Sequence, residues 1–168
     1  MNIILTGFMG TGKSTIAREL ADKLGLKLID TDAMIEGLTG KKISSIFSDE
    51  GEARFREYES DVITTLTGEA SKGCVVSTGG GTVVDIENRD KLKAWGVLIC
   101  LSASAEAILE RVGGRQDRPL LDCEDPKAAI DELLRKRADA YNDCDILIDT
   151  SNKTPLTVVK EIAEKLKG

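Results

Sequence analysis

A glycine-rich segment with a lysine and a serine, residues 7–14 (GFMGTGKS), lies between an apolar run and a helical pattern near the start of the chain. Glycines let successive backbone N–H groups curve around a polyphosphate, Lys13 adds positive charge near the β- and γ-phosphates, and the Ser14 hydroxyl is a ligand for Mg²⁺. A helix that opens at Ser14 also directs the positive end of its dipole at the anion. A chance glycine-rich turn is the alternative, but the flanking strand and helix are the context that the motif requires. We call this segment the phosphate loop.

Two carboxylates, Asp30 and Asp32, follow the second apolar run of the chain. Residues two apart in an extended segment point to the same side. One carboxylate can hold Mg²⁺ through water, and the other can accept a hydrogen bond from a substrate hydroxyl and take its proton. The alternative is a helix N-cap, since an aspartate there bonds the free N–H groups of the following turn. The neighbouring phosphate loop favours the chemical role.

Three successive glycines, Gly79, Gly80 and Gly81, follow the third apolar run, where phosphate-loop proteins often carry an aspartate. Bare backbone lets a ligand approach closely and offers N–H donors without side chains in the way. A tight turn from strand to helix explains the same residues equally well. Their spacing alone does not decide between these interpretations.

Four arginines are candidates for binding anions. Arg56 and Arg137 fall in helical patterns, where an exposed arginine usually makes only weak surface pairs. Arg118 lies in residues 112–125, a stretch with glycines and prolines that predicts a mobile flap, or lid. A guanidinium that closes over a γ-phosphate stabilises the charge of the group being transferred. Arg115 competes with Arg118 for that role, and spacing does not separate them.

Short apolar runs alternate with helical stripes along the chain, and this alternation predicts an α/β fold. Parallel strands joined by right-handed crossovers place helices on both faces of one five-stranded sheet, of the type found in P-loop NTPases. Ligands then gather beyond the carboxyl ends of the strands. The predicted strands are residues 3–5, 27–29, 74–76, 97–101 and 146–148, and the clearest helical stripes are Ile16, Leu20 and Leu24; Phe55, Tyr58, Val62 and Leu66; and Val158, Ile162 and Leu166.

Residues 32–73 interrupt this alternation, because they carry more than one helical pattern and are too long for a plain crossover. The excess predicts a substrate-binding insertion at about residues 32–61. With the lid, this makes one domain over residues 1–168, a length that can bury a real core.

Composition excludes several classes of function. A net charge of −6 argues against binding nucleic acid or an anionic membrane through a broad basic face. The chain has no histidine, and its four cysteines form no C-x-x-C pair, so a zinc site or a disulfide framework is not expected. We predict a cytoplasmic protein with reduced thiols, without a secretory signal or membrane span, and monomeric because no extended apolar stripe stands out.

In order and separation, these motifs resemble those of the shikimate kinase family over almost the whole chain. The resemblance implies a fold like that of nucleoside monophosphate kinases and transfer of the γ-phosphoryl group of ATP to the 3-hydroxyl of shikimate. The motifs that carry it are Gly10-Thr11-Gly12-Lys13-Ser14-Thr15, Asp30-Thr31-Asp32, Phe55-Arg56, Gly79-Gly80-Gly81, Arg118-Pro119-Leu120-Leu121, and Arg137 followed by Tyr141.

The resemblance also implies which residues bind each substrate. Asp30 would reach Mg²⁺ through water together with Ser14, while Arg111, Lys153 and Pro155 would border the adenine. The family often has arginine near Lys153, and lysine keeps the charge but loses planar stacking. The implied nucleotide set is Gly10, Thr11, Gly12, Lys13, Ser14, Thr15 and Arg118, and the implied shikimate set is Asp32, Arg56, Gly79, Gly80, Gly81 and Arg137.

The resulting mechanistic hypothesis relies on positioning and charge neutralisation. Lys13, Mg²⁺ and Arg118 hold the γ-phosphoryl group in line with a hydroxyl oriented by Asp32. Whether Asp32 takes the proton or only orients the hydroxyl stays open. The alternatives are a kinase for another small acceptor, such as gluconate or a nucleoside monophosphate, and a nucleotide-binding paralogue without turnover.

Overall fold

Five parallel strands form the centre of the protein in a computed structural model that describes residues 1–70, 73–113 and 123–168. Their order across the sheet is β2-β3-β1-β4-β5. Each predicted strand is present and begins or ends within one or two residues of its predicted bounds. The strands are β1 (Asn2–Gly7), β2 (Lys27–Asp30), β3 (Cys74–Ser77), β4 (Val97–Ser102) and β5 (Ile146–Asp149).

The two faces of the sheet are buried by different helices. Because side chains alternate along a strand, Ile4 of β1 packs into one core cluster, whereas Ile3 and Leu5 pack into the other. All three side chains are at most 1% exposed. Full burial of such a side chain contributes about 1.5–3 kcal/mol, so the central strand is a strong anchor for the loop that follows it.

Helices cover both faces, as the alternation of patterns predicts. On helix α1 (Lys13–Leu24), the buried Ile16 and Leu20 pack on one face of the sheet, beside Val158 and Ile162 of helix α8 (Pro155–Lys165). The helices outside the insertion are α1 (Lys13–Leu24), α5 (Ile86–Trp95), α6 (Ala105–Val112), α7 (Pro126–Asn142) and α8 (Pro155–Lys165), and a short 3₁₀ helix covers Thr82–Val84.

The segment after β2 contains three helices, which confirms the prediction of more than one. They are α2 (Thr31–Thr39), α3 (Ile43–Asp49) and α4 (Gly51–Gly68). A small core of their own, formed by Ile35, Ile46, Phe55 and Val62, holds them together. This separate core keeps α2 and α4 fixed beside the carboxyl ends of the strands.

The observed α/β architecture confirms the predicted fold class. Within the described residues, no helix combines the length and the apolar character that a bilayer crossing requires. Most of the predicted lid at residues 112–125 lies outside the described residues, because residues 114–122 are not among them.

Candidate active site

A cavity of about 360 Å³ opens at the carboxyl ends of β1, β2 and β3. Asp30 at the end of β2 pairs in register with Ser77 at the end of β3, and Ser77 pairs with Leu5 of β1. The register therefore brings the loops after these strands to one edge of the sheet, where ligands bind in open α/β folds. The predicted site residues that line this cavity are Gly10, Gly12, Lys13, Ser14, Thr15, Asp30, Asp32, Gly79, Gly80 and Arg111.

The phosphate loop has left-handed backbone at its glycines. Gly10 and Gly12 have φ angles of 74° and 91°, a region that side chains disfavour. The Lys13 ammonium donates to the carbonyl oxygens of Gly7 at 2.7 Å and Phe8 at 2.9 Å, and so spans the loop. Gly12 caps α1 without a side-chain hydrogen bond, which leaves the first N–H groups of the helix for an anion.

Thr11 points away from the cavity. It is 1% exposed, its hydroxyl donates to the Phe8 carbonyl at 2.7 Å, and its own carbonyl accepts from the Thr150 hydroxyl at 3.1 Å. Its side chain therefore supports the shape of the loop, whereas Ser14 and Thr15 line the cavity.

Asp30 serves as a helix cap and also lines the cavity. Its Oδ1 accepts from the backbone N–H groups of Asp32 at 2.9 Å and Ala33 at 3.2 Å. The N-cap that the sequence left as an alternative is thus present at Asp30, in the first of the two carboxylates. Capping and a place in the cavity are compatible, since a carboxylate accepts several hydrogen bonds.

Asp32 is the most perturbed carboxylate of the cavity. Its Oδ1 is buried and has no hydrogen-bond partner within the described residues. Burial, followed by the negative charges of Asp30 and Glu59, raises the pKa of Asp32 to about 6, although Lys13 acts in the opposite direction. Such a group is a proton acceptor tuned close to neutral pH.

Glu59 is a site residue that sequence reasoning missed. It is 1% exposed, its Oε1 accepts from the Thr82 hydroxyl at 2.5 Å, and its Oε2 accepts from Arg56 Nη1 at 2.7 Å. The available signal was a charged i,i+3 pair, Arg56 and Glu59, on the helix face that also carries the apolar Phe55 and Val62.

The three glycines after β3 pack against charged groups and the phosphate loop. A Cβ on Gly79 would lie 2.8 Å from Glu59 Oε1, and one on Gly81 would lie 2.7 Å from Arg56 Cζ. A Cβ on Gly80 would lie 3.2 Å from the Gly7 carbonyl oxygen. The segment makes a turn, and its bare backbone permits close approach by protein groups, while close approach by a ligand stays a prediction.

Arg56 and Arg137 come together at a second cavity of about 320 Å³, which Gly81 also lines. Arg137 Cζ lies 5.6 Å from the centroid of the Phe8 ring, and its Nη1 donates to the Tyr141 hydroxyl at 3.4 Å. The structure thus brings two arginines far apart in the chain to the two sides of one pocket beside the glycines.

Arg111 connects the phosphate loop to the loop after β5. Its Nη1 donates to the Gly10 carbonyl and to the Thr150 hydroxyl, each at 3.0 Å, and its Nη2 donates to the Ser151 carbonyl at 3.3 Å. The Thr150 hydroxyl is also within 3.0 Å of the Ser102 carbonyl oxygen at the end of β4. Arg111 therefore has a structural role in addition to its place in the cavity lining.

The other two predicted adenine residues do not line this cavity. Lys153 forms an ion pair with Glu161 at 2.6 Å, and Pro155 begins α8 after the Thr154 cap. Both lie in the loop and helix that follow Thr150, to which Arg111 is bonded. The predicted lid arginines, Arg118 and Arg115, lie outside the described residues, so their position is not part of this geometry.

The oxygen donors at Ser14 and Asp30 fit a magnesium ion held mainly by phosphate and water. Within residues 1–70, 73–113 and 123–168, no three His, Cys, Asp or Glu side chains converge as they would around a metal held by protein alone. Mg²⁺ in nucleotide sites uses only one or two protein oxygens, and Ser14 and Asp30 line the same cavity.

Comparison with known proteins agrees with this geometry. The model of the shikimate kinase family matches residues 9–167. The shikimate kinase of Thermodesulfovibrio yellowstonii is 46% identical over 98% of this chain and 92% of that protein. The shikimate kinase of Geobacter sulfurreducens is also 46% identical, over 96% of this chain and 88% of that protein.

A solved structure gives the same result. The shikimate kinase from Acinetobacter baumannii in complex with shikimate superimposes with a TM-score of 0.91 and 36% identity, over 98% of this chain and 92% of that chain. Family match, sequence identity and fold agree over nearly the whole length. The chain therefore belongs to the shikimate kinase family.

Proposed function

We propose that the protein uses this site for the reaction of its family, the ATP-dependent phosphorylation of shikimate, at the 3-hydroxyl. The observation that carries the proposal is the position of Gly79, Gly80 and Gly81 between the phosphate loop and a set of charged side chains. A nucleotide on one side and an acceptor on the other would meet at this segment. Such proximity supplies much of the catalysis in phosphoryl transfer.

The phosphate loop would hold the triphosphate. Its backbone N–H groups and the start of α1 suit the phosphate oxygens, and Gly10, Gly12 and Thr15 line the cavity beside them. Lys13 supplies positive charge where the γ-phosphoryl group leaves. Ser14, directly, and Asp30, through water, would hold Mg²⁺, which neutralises negative charge on the phosphates when bound.

Asp32, Arg56 and Arg137 would hold shikimate. The carboxylate of shikimate suits two guanidinium groups, which bind such a group with paired hydrogen bonds. Its ring hydroxyls suit Asp32, whose unpartnered Oδ1 is a ready acceptor. Gly79, Gly80 and Gly81 would let the ring approach the backbone.

In the transfer step, the 3-hydroxyl oxygen forms a bond to the γ-phosphorus while the bond from that phosphorus to the β–γ bridging oxygen breaks, and ADP leaves. The hydroxyl proton passes to Asp32 or to water. The raised pKa makes Asp32 a stronger base than an ordinary aspartate, and at neutral pH it is still mostly ionised. Arg118, placed by sequence alone, would stabilise the charge on the transferring group.

We propose an adenine site formed by Arg111, Lys153 and Pro155. The support is the bonding of Arg111 to Gly10 on one side and to the loop that leads to Lys153 on the other. Because Arg111 bonds to both, the groups that bind the base and those that bind the phosphates would be held in a fixed arrangement relative to each other.

The remaining proposals concern the state of the protein in the cell. We propose a cytoplasmic monomer that binds neither nucleic acid nor membrane. Free thiols at the four cysteines support a reducing compartment, and the net charge of −6 disfavours polyanions. Three of the most exposed large apolar side chains, Leu38, Ile86 and Leu156, lie on three different helices, which supports a monomer.

A coupled ADP-release assay with ATP and Mg²⁺ tests the proposed function. We expect ADP to form in step with shikimate consumption, and gluconate, AMP and CMP to give little. Asp32→Asn should lose most of this turnover, while Asp22→Asn on the exposed side of α1 should not. Full turnover by a folded Asp32→Asn variant, or equal rates with gluconate, would contradict the assignment.

A further inference from the structure

Tyr141, near the end of α7, bonds to the glycine segment at residues 79–81, beside the second cavity that Arg56 and Arg137 line. Its ring is 7% exposed and packs in the core cluster that contains Phe8. Its hydroxyl donates to the Gly80 carbonyl at 2.6 Å. A buried phenol needs a hydrogen-bond partner, and any carbonyl of the core would satisfy it. Here the partner is the central residue of the segment that separates the two cavities.

The bond to Gly80 fixes the orientation of one peptide unit. Because the peptide is planar and trans, the Gly81 N–H points in the direction opposite to the Gly80 carbonyl, and so away from Tyr141. Within the described residues, no carbonyl accepts from this N–H. The Gly81 backbone also lies directly against the Arg56 guanidinium. A free donor is therefore held beside a cation.

The same hydroxyl also contacts Arg137. Arg137 lies one helical turn before Tyr141, so the two side chains share a face of α7, and its Nη1 donates to the hydroxyl at 3.4 Å. Its guanidinium also lies over the face of the Phe8 ring. Arg56 is paired with Glu52 and Glu59, whereas Arg137 has no ion pair in the described part of the chain. The Arg137 guanidinium is therefore held by two neutral groups, the Tyr141 hydroxyl and the Phe8 ring, and its positive charge is available to a ligand.

Burial raises the pKa of the Tyr141 hydroxyl above its usual value, although the charge of Arg137 lowers it. The phenol therefore stays protonated at neutral pH. It can donate to Gly80 and accept from Arg137 at the same time.

We propose that Tyr141 is a positioning residue for the acceptor: one hydroxyl fixes the Gly81 N–H and the Arg137 guanidinium in the arrangement that receives the acceptor carboxylate. This inference rests on the proposed function, since it assigns a role within the same pocket. Tyr141 lines neither of the two cavities and acts through Gly80 and Arg137.

Tyr141→Phe tests the proposal, because it removes one oxygen and leaves the ring to fill its place in the core. Losing one such hydrogen bond should raise KM for shikimate about tenfold and leave KM for ATP unchanged. The only other tyrosine of the chain gives the matched control. In Tyr58→Phe, the lost hydroxyl donates to Glu50 at 2.9 Å, away from both cavities, and neither KM should change.

If Tyr141 had only a structural role, a different result is expected. Tyr141→Phe would then lower the melting temperature without changing one KM value more than the other, so thermal unfolding of each variant is measured alongside. An unchanged KM for shikimate in folded Tyr141→Phe, or an equal rise in both KM values, would overturn the proposal. A wild-type protein that releases no ADP with shikimate would overturn the proposed function as well, so the two failures are distinguishable.

A double-mutant cycle tests the route through Arg137. If Tyr141 acts partly by holding this guanidinium, Tyr141→Phe should raise KM for shikimate less in an Arg137→Gln background than in the wild type. Fully additive effects would overturn the part of the proposal that assigns Arg137 to Tyr141.

Discussion

The nucleotide half and the acceptor half of the site are held in place by different kinds of interaction. In the nucleotide half, Lys13, Arg111 and Thr150 bond mainly to main-chain carbonyl oxygens of the loops that they connect. In the acceptor half, Arg56 and Glu59 bond side chain to side chain, and they press against glycines of a distant segment. One half is a backbone structure with side-chain supports, and the other is a cluster of charges on helices.

The difference determines how each half responds to change. A side chain that bonds to main-chain carbonyl oxygens tolerates substitution of the residues that carry those carbonyls, because every residue has one. A buried cluster of charges depends on every member, since removal of one leaves its partner unpaired in a poorly solvated place. We expect changes at Arg56, Gly81 and Arg137 to act on KM for shikimate, and changes in the nucleotide half to act on KM for ATP or on kcat.

The largest effect is expected at Lys13, the one charged side chain of the phosphate loop. Lys13→Met should lower kcat by about 10²–10³-fold, because the charge that stabilises the transferring group is lost. Lys23→Met, on the exposed last turn of the same helix, is the matched control and should keep full activity. The assay is steady-state ADP release, and similar losses in both variants would contradict a specific role.

Gly81→Ala should be the next largest, and it should act on the other substrate. A methyl group there would overlap the Arg56 guanidinium, which must move away from the pocket. We expect KM for shikimate to rise about tenfold or more, as for loss of a charge-assisted hydrogen bond, with KM for ATP nearly constant. Gly37→Ala on α2 meets nothing within 4 Å and serves as the control. A normal KM for shikimate in Gly81→Ala would show that Arg56 does not need its present position.

The pH dependence of kcat/KM for shikimate should reflect the charged groups around Asp32. Since the pKa of Asp32 is about 6, kcat/KM for shikimate should fall about tenfold per pH unit below pH 6, as the carboxylate takes up a proton. Glu59 carries one of the negative charges that raise this pKa, so Glu59→Gln should move the acid limb to lower pH. Glu57→Gln, exposed on the same helix, should leave the limb in place. If the acid limb of the profile stayed at the same pH in Glu59→Gln, the effect of the Glu59 charge on the pKa of Asp32 would be contradicted.

The smallest effect is expected from Thr150→Val, which keeps the shape of the side chain but removes its hydroxyl. Thr150 is 2% exposed, and its hydroxyl contacts Arg111 and the carbonyl oxygens of Thr11 and Ser102. We expect KM for ATP to rise about three- to tenfold while KM for shikimate stays constant. Thr67→Val, which loses only a bond within its own helix, is the control. A change confined to KM for shikimate would contradict the division of the site into halves.

The phosphate loop is visible in the sequence because its parts are contiguous, whereas Arg111 and Thr150 join it only in the fold. A loop that follows a buried strand and opens a helix has its geometry written in adjacent residues, from Gly7 to Ser14. The five strands were likewise visible as separate apolar runs. Thr11 is the exception, since only the fold shows that its side chain turns inward to bond Phe8.

The acceptor half was less visible because its members come from α2, α4, α7 and the segment after β3. Glu59 looks like an ordinary helical glutamate until the fold buries it against Thr82 and Gly79. The role of Asp30 as a cap was open for a similar reason, since capping depends on where α2 begins. Long-range packing buries Glu59, and its i,i+3 pairing with Arg56 is only a weak local sign of that burial. The Asp30 cap is a local interaction, which the sequence offers as one of two interpretations.

The buried carboxylate of Asp32 also has a consequence for the stability of the whole protein. Its pKa is about 6 in the folded chain against 3.8 for an ordinary aspartate, so the folded state gains a proton before the unfolded state does as pH falls. The native fold is therefore penalised by this charge above pH 6, by an amount on the order of 3 kcal/mol, and is relieved of it toward pH 4. Asp32 destabilises the fold least at a pH where it is protonated and cannot act as a base, so at this residue stability and turnover favour opposite directions of pH.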